Sequence, residues 1–247
     1  MSFPSLPRRH ALAGLALGAA SLGARAAEAA TLPEGACRLT PQSVEGPYYL
    51  DPDLVRRAIT EGRPGIPLEL RLTVLGADCR PLPGARVDLW HADAAGLYSG
   101  YAGQGDDGRV STVGQKFLRG VQTTDAAGQV GFDTLYPGWY RGRTTHAHVK
   151  VFLDRRTVLN GQVYFPDALS EFLYRHIPPY SARTARRDTI NRSDGILRMA
   201  GAEGSFCAIA ETERGYLASL TIAVSPEAVV SAGPGGPPGG GPPGPGA

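Results

Sequence analysis

A chain of 247 residues with 42% hydrophobic content is long enough to bury a sizeable core. Its 33 glycines and 21 prolines, without any long stretch of helical periodicity, argue against an all-helical fold. Of its 25 basic and 23 acidic residues, 22 of each remain once residues 1–29 (with Arg8, Arg9, Arg25 and Glu28) are set aside, so charge gives no case for nucleic acid or an anionic membrane as partner.

Residues 1–30 read as an export signal. Arg8 and Arg9 precede the apolar run ALAGLALGAASLGA, which is too short to span a membrane and is followed by small-residue cleavage sites. The paired arginines point to the twin-arginine route, and so to a periplasmic or extracellular protein without stable membrane insertion. Residues 31–66 carry few strand signals and read as an irregular arm. Residues 68–75 (LELRLTVL) alternate strongly and predict a strand with one buried face. A second strand is expected over 85–90, then a Gly- and Asp-rich loop over 91–114. Residues 117–123, 130–135 and 146–153 are the next strands, with DAAGQ as a hairpin turn between the first two. Residues 167–176 (DALSEFLYRH) predict a short helix, and 216–224 a closing strand. From Gly233 the chain is Gly and Pro with a final Ala, which cannot bury surface. The expected fold class is all-β: a β-sandwich core of antiparallel strands with long loops and an irregular N-terminal arm. The expected organisation is a signal peptide over 1–30, one main domain over 31–228 and a Gly/Pro-rich tail over 229–247.

Three cysteines suit an exported protein that keeps one disulfide and leaves one thiol over. Cys37 and Cys79, each in a loop beside an expected strand, are the expected pair, leaving Cys207. No CxxC or Cys/His cluster has zinc spacing.

The chemistry concentrates in THAHVKVFL. Side chains alternate on a strand, so His146 and His148 share a face with Lys150 and Phe152, while Ala147, Val149, Val151 and Leu153 fill the other. Two imidazoles so placed suit a metal, although most such pairs bind none. Tyr140 lies six residues upstream, and Tyr98 sits in a glycine-containing turn just after a strand. No Asp or Glu lies within the HAH segment to complete a carboxylate site. A hard ion of high charge would select the phenolates, and iron(III) fits best. Tyr101 and Tyr136 compete for these roles, while His91 reads as a hydrogen-bonded structural residue.

The segments EGPYYLD, PLPGARVDLWHADAAGLYSG, FLRGVQTTDAAGQVGFDTLYPGWYRGRTTHAHVKVF and QVYF together resemble the intradiol ring-cleavage dioxygenases, over roughly residues 37–224. The resemblance implies a β-sandwich enzyme with one Fe(III), opening a catechol ring with O2 between its hydroxylated carbons to give a muconate-type diacid. It implies Tyr98 as the equatorial tyrosinate, Tyr140 as the axial one that substrate displaces, and His146 and His148 as neutral ligands. Arg143 would lie by the substrate ring, Gln162 would orient the site, and Gly46, Pro47 and Tyr48 would border the pocket. Two tyrosinates and a hydroxide leave iron(III) formally neutral, and a catechol dianion can replace hydroxide and Tyr140 without changing that charge. The departing bases then take the catechol protons, so no separate general base is needed. The resemblance is also compatible with a homodimer. The competing reading is a non-catalytic β-sandwich module that binds a ligand or carbohydrate through its tyrosines, without iron or colour.

Overall fold

In a computed structural model, the protein is described over residues 37–51, 53–201 and 204–230. The expected signal segment over 1–30 and all but the first two residues of the expected tail over 229–247 lie outside the described residues.

Among the described residues, eight strands form two four-stranded sheets. The first has the order β4 (Gln129–Leu135), β1 (Pro67–Gly76), β8 (Gly215–Val224), β7 (Ala208–Thr212). The second has the order β3 (Arg119–Thr123), β2 (Arg86–Trp90), β5 (His146–Leu153), β6 (Arg156–Tyr164). All neighbours are antiparallel except β1 and β8, which run parallel. The alternation in β1 buries Leu68, Leu70, Leu72 and Val74. They share one core with Val87 and Leu89 of β2, Val149 and Val151 of β5, and Ile222 of β8. The fold is therefore an all-β sandwich, with α1 (Asp167–His176) and the short α2 (Gly195–Ala200) outside its sheets.

Two local expectations are corrected. The DAAGQ turn forms, with Asp125 Oδ1 accepting from the backbone of Ala127 and Gln129, but it does not close a hairpin. Its flanking strands lie in different sheets: β3 pairs with β2, and β4 with β1. The turn residues fix a local reversal, whereas the strand partners are set by burial against the core. Second, β3 begins at Arg119 rather than at residue 117, because Leu118 has a positive φ of 54° that interrupts extended backbone.

The β3-β2-β5-β6 sheet is buried on both faces. Its inner face meets the core, and its outer face lies under a second cluster of Tyr48, Trp90, Ala92, Tyr98 and Tyr101. The arm makes this possible by bonding along the sheet: Ser43 N–H donates to Asn160 O, and Gln42 Nε2 to Val158 O. Glu45 pairs with buried Lys150 of β5. Cys37 is disulfide-bonded to Cys79, and Cys207 is buried with a free thiol. No helix among the described residues is long and apolar enough to cross a membrane.

His91, just after β2, bridges the two sheets. Its Nε2 lies 2.7 Å from Thr134 Oγ1 of β4, and its Nδ1 lies 2.9 Å from Ala92 O. Burial pulls its pKa down from 6.5 to about 4, so the fold favours the neutral ring. As pH falls below 6.5 the unfolded chain takes up a proton that the folded chain refuses until about pH 4. Stability is therefore fully present above 6.5 and lost across that window, by on the order of 3 kcal/mol. Urea unfolding of the metal-free chain at pH 7 and pH 4.5 should show a smaller loss for His91→Gln than for the wild type. Equal losses would remove His91 as a source of acid sensitivity.

Candidate metal centre

The strand register assembles the site on the outer face of the second sheet. In β5, His146 and His148 point outward while Ala147 and Val149 point into the core. Directly paired residues of antiparallel strands share a face, so Trp90 of β2 and Gln162 of β6 flank His148. Trp90 stacks on the His148 ring at 4.7 Å with the planes 10° apart. Tyr164 pairs with His146 in the same way, and its hydroxyl donates to Gln162 Oε1 at 2.7 Å.

Two loops bring the tyrosines over these imidazoles. Asp93 Oδ1 accepts from the backbone of Ala95 and Leu97, which shapes the turn that delivers Tyr98. The loop over 136–145 delivers Tyr140. The loops cross with their backbones in contact: a Cβ on Gly96 would lie 2.2 Å from Trp139 O, and one on Gly138 2.1 Å from Asp93 O. Glycine at both positions is what permits the crossing.

The four side chains named from the sequence meet. His146 Nε2 is 3.2 Å from His148 Nε2, 3.2 Å from Tyr140 Oη and 3.5 Å from Tyr98 Oη. Tyr98, His146 and His148 are each at most 2% exposed, whereas Tyr140 is partly exposed. The competing tyrosines are engaged elsewhere: Tyr101 donates to Tyr49 O, and the Tyr136 hydroxyl bonds Ser170. Thr144 O accepts from His146 Nδ1 at 2.7 Å, which leaves Nε2 as the lone-pair nitrogen facing the cluster. Burial holds both imidazoles well below their usual range, so both rings are neutral. Burial pushes both phenols up, opposed at Tyr140 by the Arg143 guanidinium.

Arg143 reaches the cluster directly. Its Nη1 is 3.4 Å from Tyr140 Oη and 3.3 Å from His146 Nε2, and its Nη2 donates to Gln162 Oε1 at 2.5 Å. Its Nε donates to the carboxylate of Asp194, a residue that nothing in the sequence marked. From the arm, Tyr48 stacks on Tyr98 with ring centroids 4.3 Å apart. Gly46, with φ of 75°, lies against His148, where a Cβ would come within 3.3 Å of the ring; Pro47 is exposed. Buried Arg119 ties the arm to the Tyr98 loop, donating to Tyr48 O and to both oxygens of Ser99. Burial pulls its pKa down to about 10. Among the described residues no three His, Cys, Asp or Glu side chains gather to hold a metal, so the converging donors are phenols and imidazoles.

A sequence profile of a dioxygenase family matches residues 41–185, more than half of the chain. An intradiol ring-cleavage dioxygenase from Tetranychus urticae is 32% identical, covers 79% of this chain and 98% of its own, and superposes with a TM-score of 0.72. The chain belongs to the intradiol ring-cleavage dioxygenase family. Among curated relatives of the chain, catechol 1,2-dioxygenase 1 of Acinetobacter lwoffii is 33% identical over 118 residues, 46% of this chain and 36% of that protein. The protocatechuate 3,4-dioxygenase beta chain of Burkholderia cepacia is 33% identical over 127 residues, 47% of this chain and 52% of that protein. The dioxygenase matches thus span about a third of the first relative's length and about half of the second's.

Proposed function

We propose that Tyr98, Tyr140, His146 and His148 hold one iron(III), and that the protein uses it to open a catechol-type ring with dioxygen between the two hydroxylated carbons, yielding a muconate-type diacid. The convergence of two phenol oxygens and two imidazole nitrogens on one buried point carries this reading. The donor chemistry fits the ion. Neutral imidazoles are the form that ligates, and burial keeps both rings neutral. Burial also disfavours ionised phenols, so two adjacent tyrosinates need a strong positive charge beside them.

Bound iron(III) would supply that charge and the Lewis acidity that activates a catechol toward dioxygen. The protein's own residues do the rest. Tyr140, alone of the four in being partly exposed, is the side chain that gives way to substrate, and its phenolate oxygen takes up a catechol proton. Arg143 Nη1 donates to the released oxygen and sets a fixed positive charge beside the substrate ring. Gln162 Oε1 holds the far edge of that guanidinium, and Trp90 keeps the His148 ring in plane.

The protein purified from iron-supplemented cells should contain iron, be red to purple from tyrosinate-to-iron charge transfer, and take up oxygen with at least one catechol. Anaerobic addition of that catechol should move the band to longer wavelength. A colourless, iron-free protein that consumes no oxygen across a catechol panel would sink the proposal.

A further inference from the structure

We infer that Asp194 is a positioning residue of the ring-opening reaction, holding the Arg143 guanidinium so that a single edge faces the four-donor cluster. The inference rests on the proposed intradiol activity of that cluster. Asp194 is fully buried and lies 51 residues beyond Arg143, at the N-cap of α2. Its Oδ2 accepts from Arg143 Nε at 2.9 Å and from Thr144 N at 2.8 Å, while Oδ1 accepts from Leu197 N at 2.8 Å.

The donors of Arg143 are thereby divided among fixed partners. Nε goes to Asp194 and Nη2 to Gln162 Oε1, which leaves Nη1 to face Tyr140 Oη and His146 Nε2. A planar guanidinium gripped along two edges cannot rotate its third away. Asp194 also reaches the Thr144 peptide, whose carbonyl oxygen accepts from His146 Nδ1. One carboxylate therefore orders both the cation beside the cluster and the backbone that fixes the orientation of an imidazole.

Two substitutions separate this role from helix capping. Serine is a good N-cap, so Asp194→Ser keeps an acceptor for Leu197 N while removing the oxygen that Arg143 and the Thr144 peptide share. Asp194→Asn restores one oxygen toward Arg143. Asp194→Ser should retain iron and the resting colour yet lose roughly 10- to 100-fold in kcat/KM, with partial recovery in Asp194→Asn. In an Arg143→Ala background, Asp194→Ser should cost clearly less than in the wild type, because the part of its effect that passes through the guanidinium is already gone. In the metal-free chain, the Arg143 Nε–H should exchange slowly with solvent by NMR, and Asp194→Ser should make it exchange fast. Wild-type kcat/KM in Asp194→Ser, fold-losses that multiply in the double variant, or fast Arg143 exchange in the wild type would each overturn the inference. An iron-replete wild type inert toward every catechol would instead overturn the proposed function. The exchange measurement would still decide whether Asp194 holds Arg143.

Discussion

Tyr98→Phe should yield a folded, colourless protein with little bound iron and no measurable oxygen uptake. The side chain is 1% exposed and stacked on Tyr48, so phenylalanine keeps the volume and the packing. What disappears is the Tyr98 oxygen, which lies 3.5 Å from His146 Nε2. Removing one of two anionic donors should weaken iron binding by more than roughly 100-fold, beyond the usual loss for an outer partner of a metal ligand. Tyr101→Phe is the matched control, because its hydroxyl serves the Tyr49 carbonyl rather than the cluster. Iron content, the visible band and the thermal melt should be read on both. Full colour and full iron in Tyr98→Phe would remove Tyr98 from the ligand set.

The second large effect is expected from a residue that contributes no side chain. Gly138→Ala would put a methyl group 2.1 Å from Asp93 O and 2.8 Å from Ala94 O, both backbone atoms. Neither can yield alone, since the Asp93 loop carries Tyr98 and the Gly138 loop carries Tyr140. Separating them should cost about 3 kcal/mol or more, a fall in Tm of about 10 °C for a domain of this size. Iron should be lost at the same time, because the tyrosines move apart. Gly195→Ala is the control, with nothing within 4 Å of its added Cβ and an ordinary backbone angle. A Gly138→Ala protein with unchanged Tm and iron would show that the loops do not depend on this close crossing.

Legibility in the sequence followed periodicity. β5 and α1 lie over the residues expected of them, and β1 within one residue at each end, because each has a clear periodicity. β6 escaped notice because Asn160, Gly161 and Gln162 interrupt its hydrophobic pattern. Those polar residues face the site, where Gln162 pairs with His148 and Asn160 with Lys150, so the property that hid the strand is the one that equips it. β7 is an edge strand with no buried residue and so has no alternation to read. Within the site, strand alternation alone put His146 and His148 on one face. Choosing Tyr98 over Tyr101 needed the family resemblance, since spacing does not show which phenol a loop turns inward. Asp194 was illegible because only the folded chain brings it to Arg143.

The parallel pairing of β1 with β8 bears on how the protein must be made. Leu68 pairs with Tyr216 and Val74 with Ile222, so the centre of one sheet joins segments about 150 residues apart. Such a contact forms only once β8 has been made, and closing so long a loop is slow. A ribosome-bound chain lacking residues 215–224 would expose both β1 and an unfilled core, the condition that favours aggregation. The sandwich is therefore completed only after β8 has emerged, and the face that carries the tyrosine and histidine cluster, built on the opposite sheet, can be packed from behind only then.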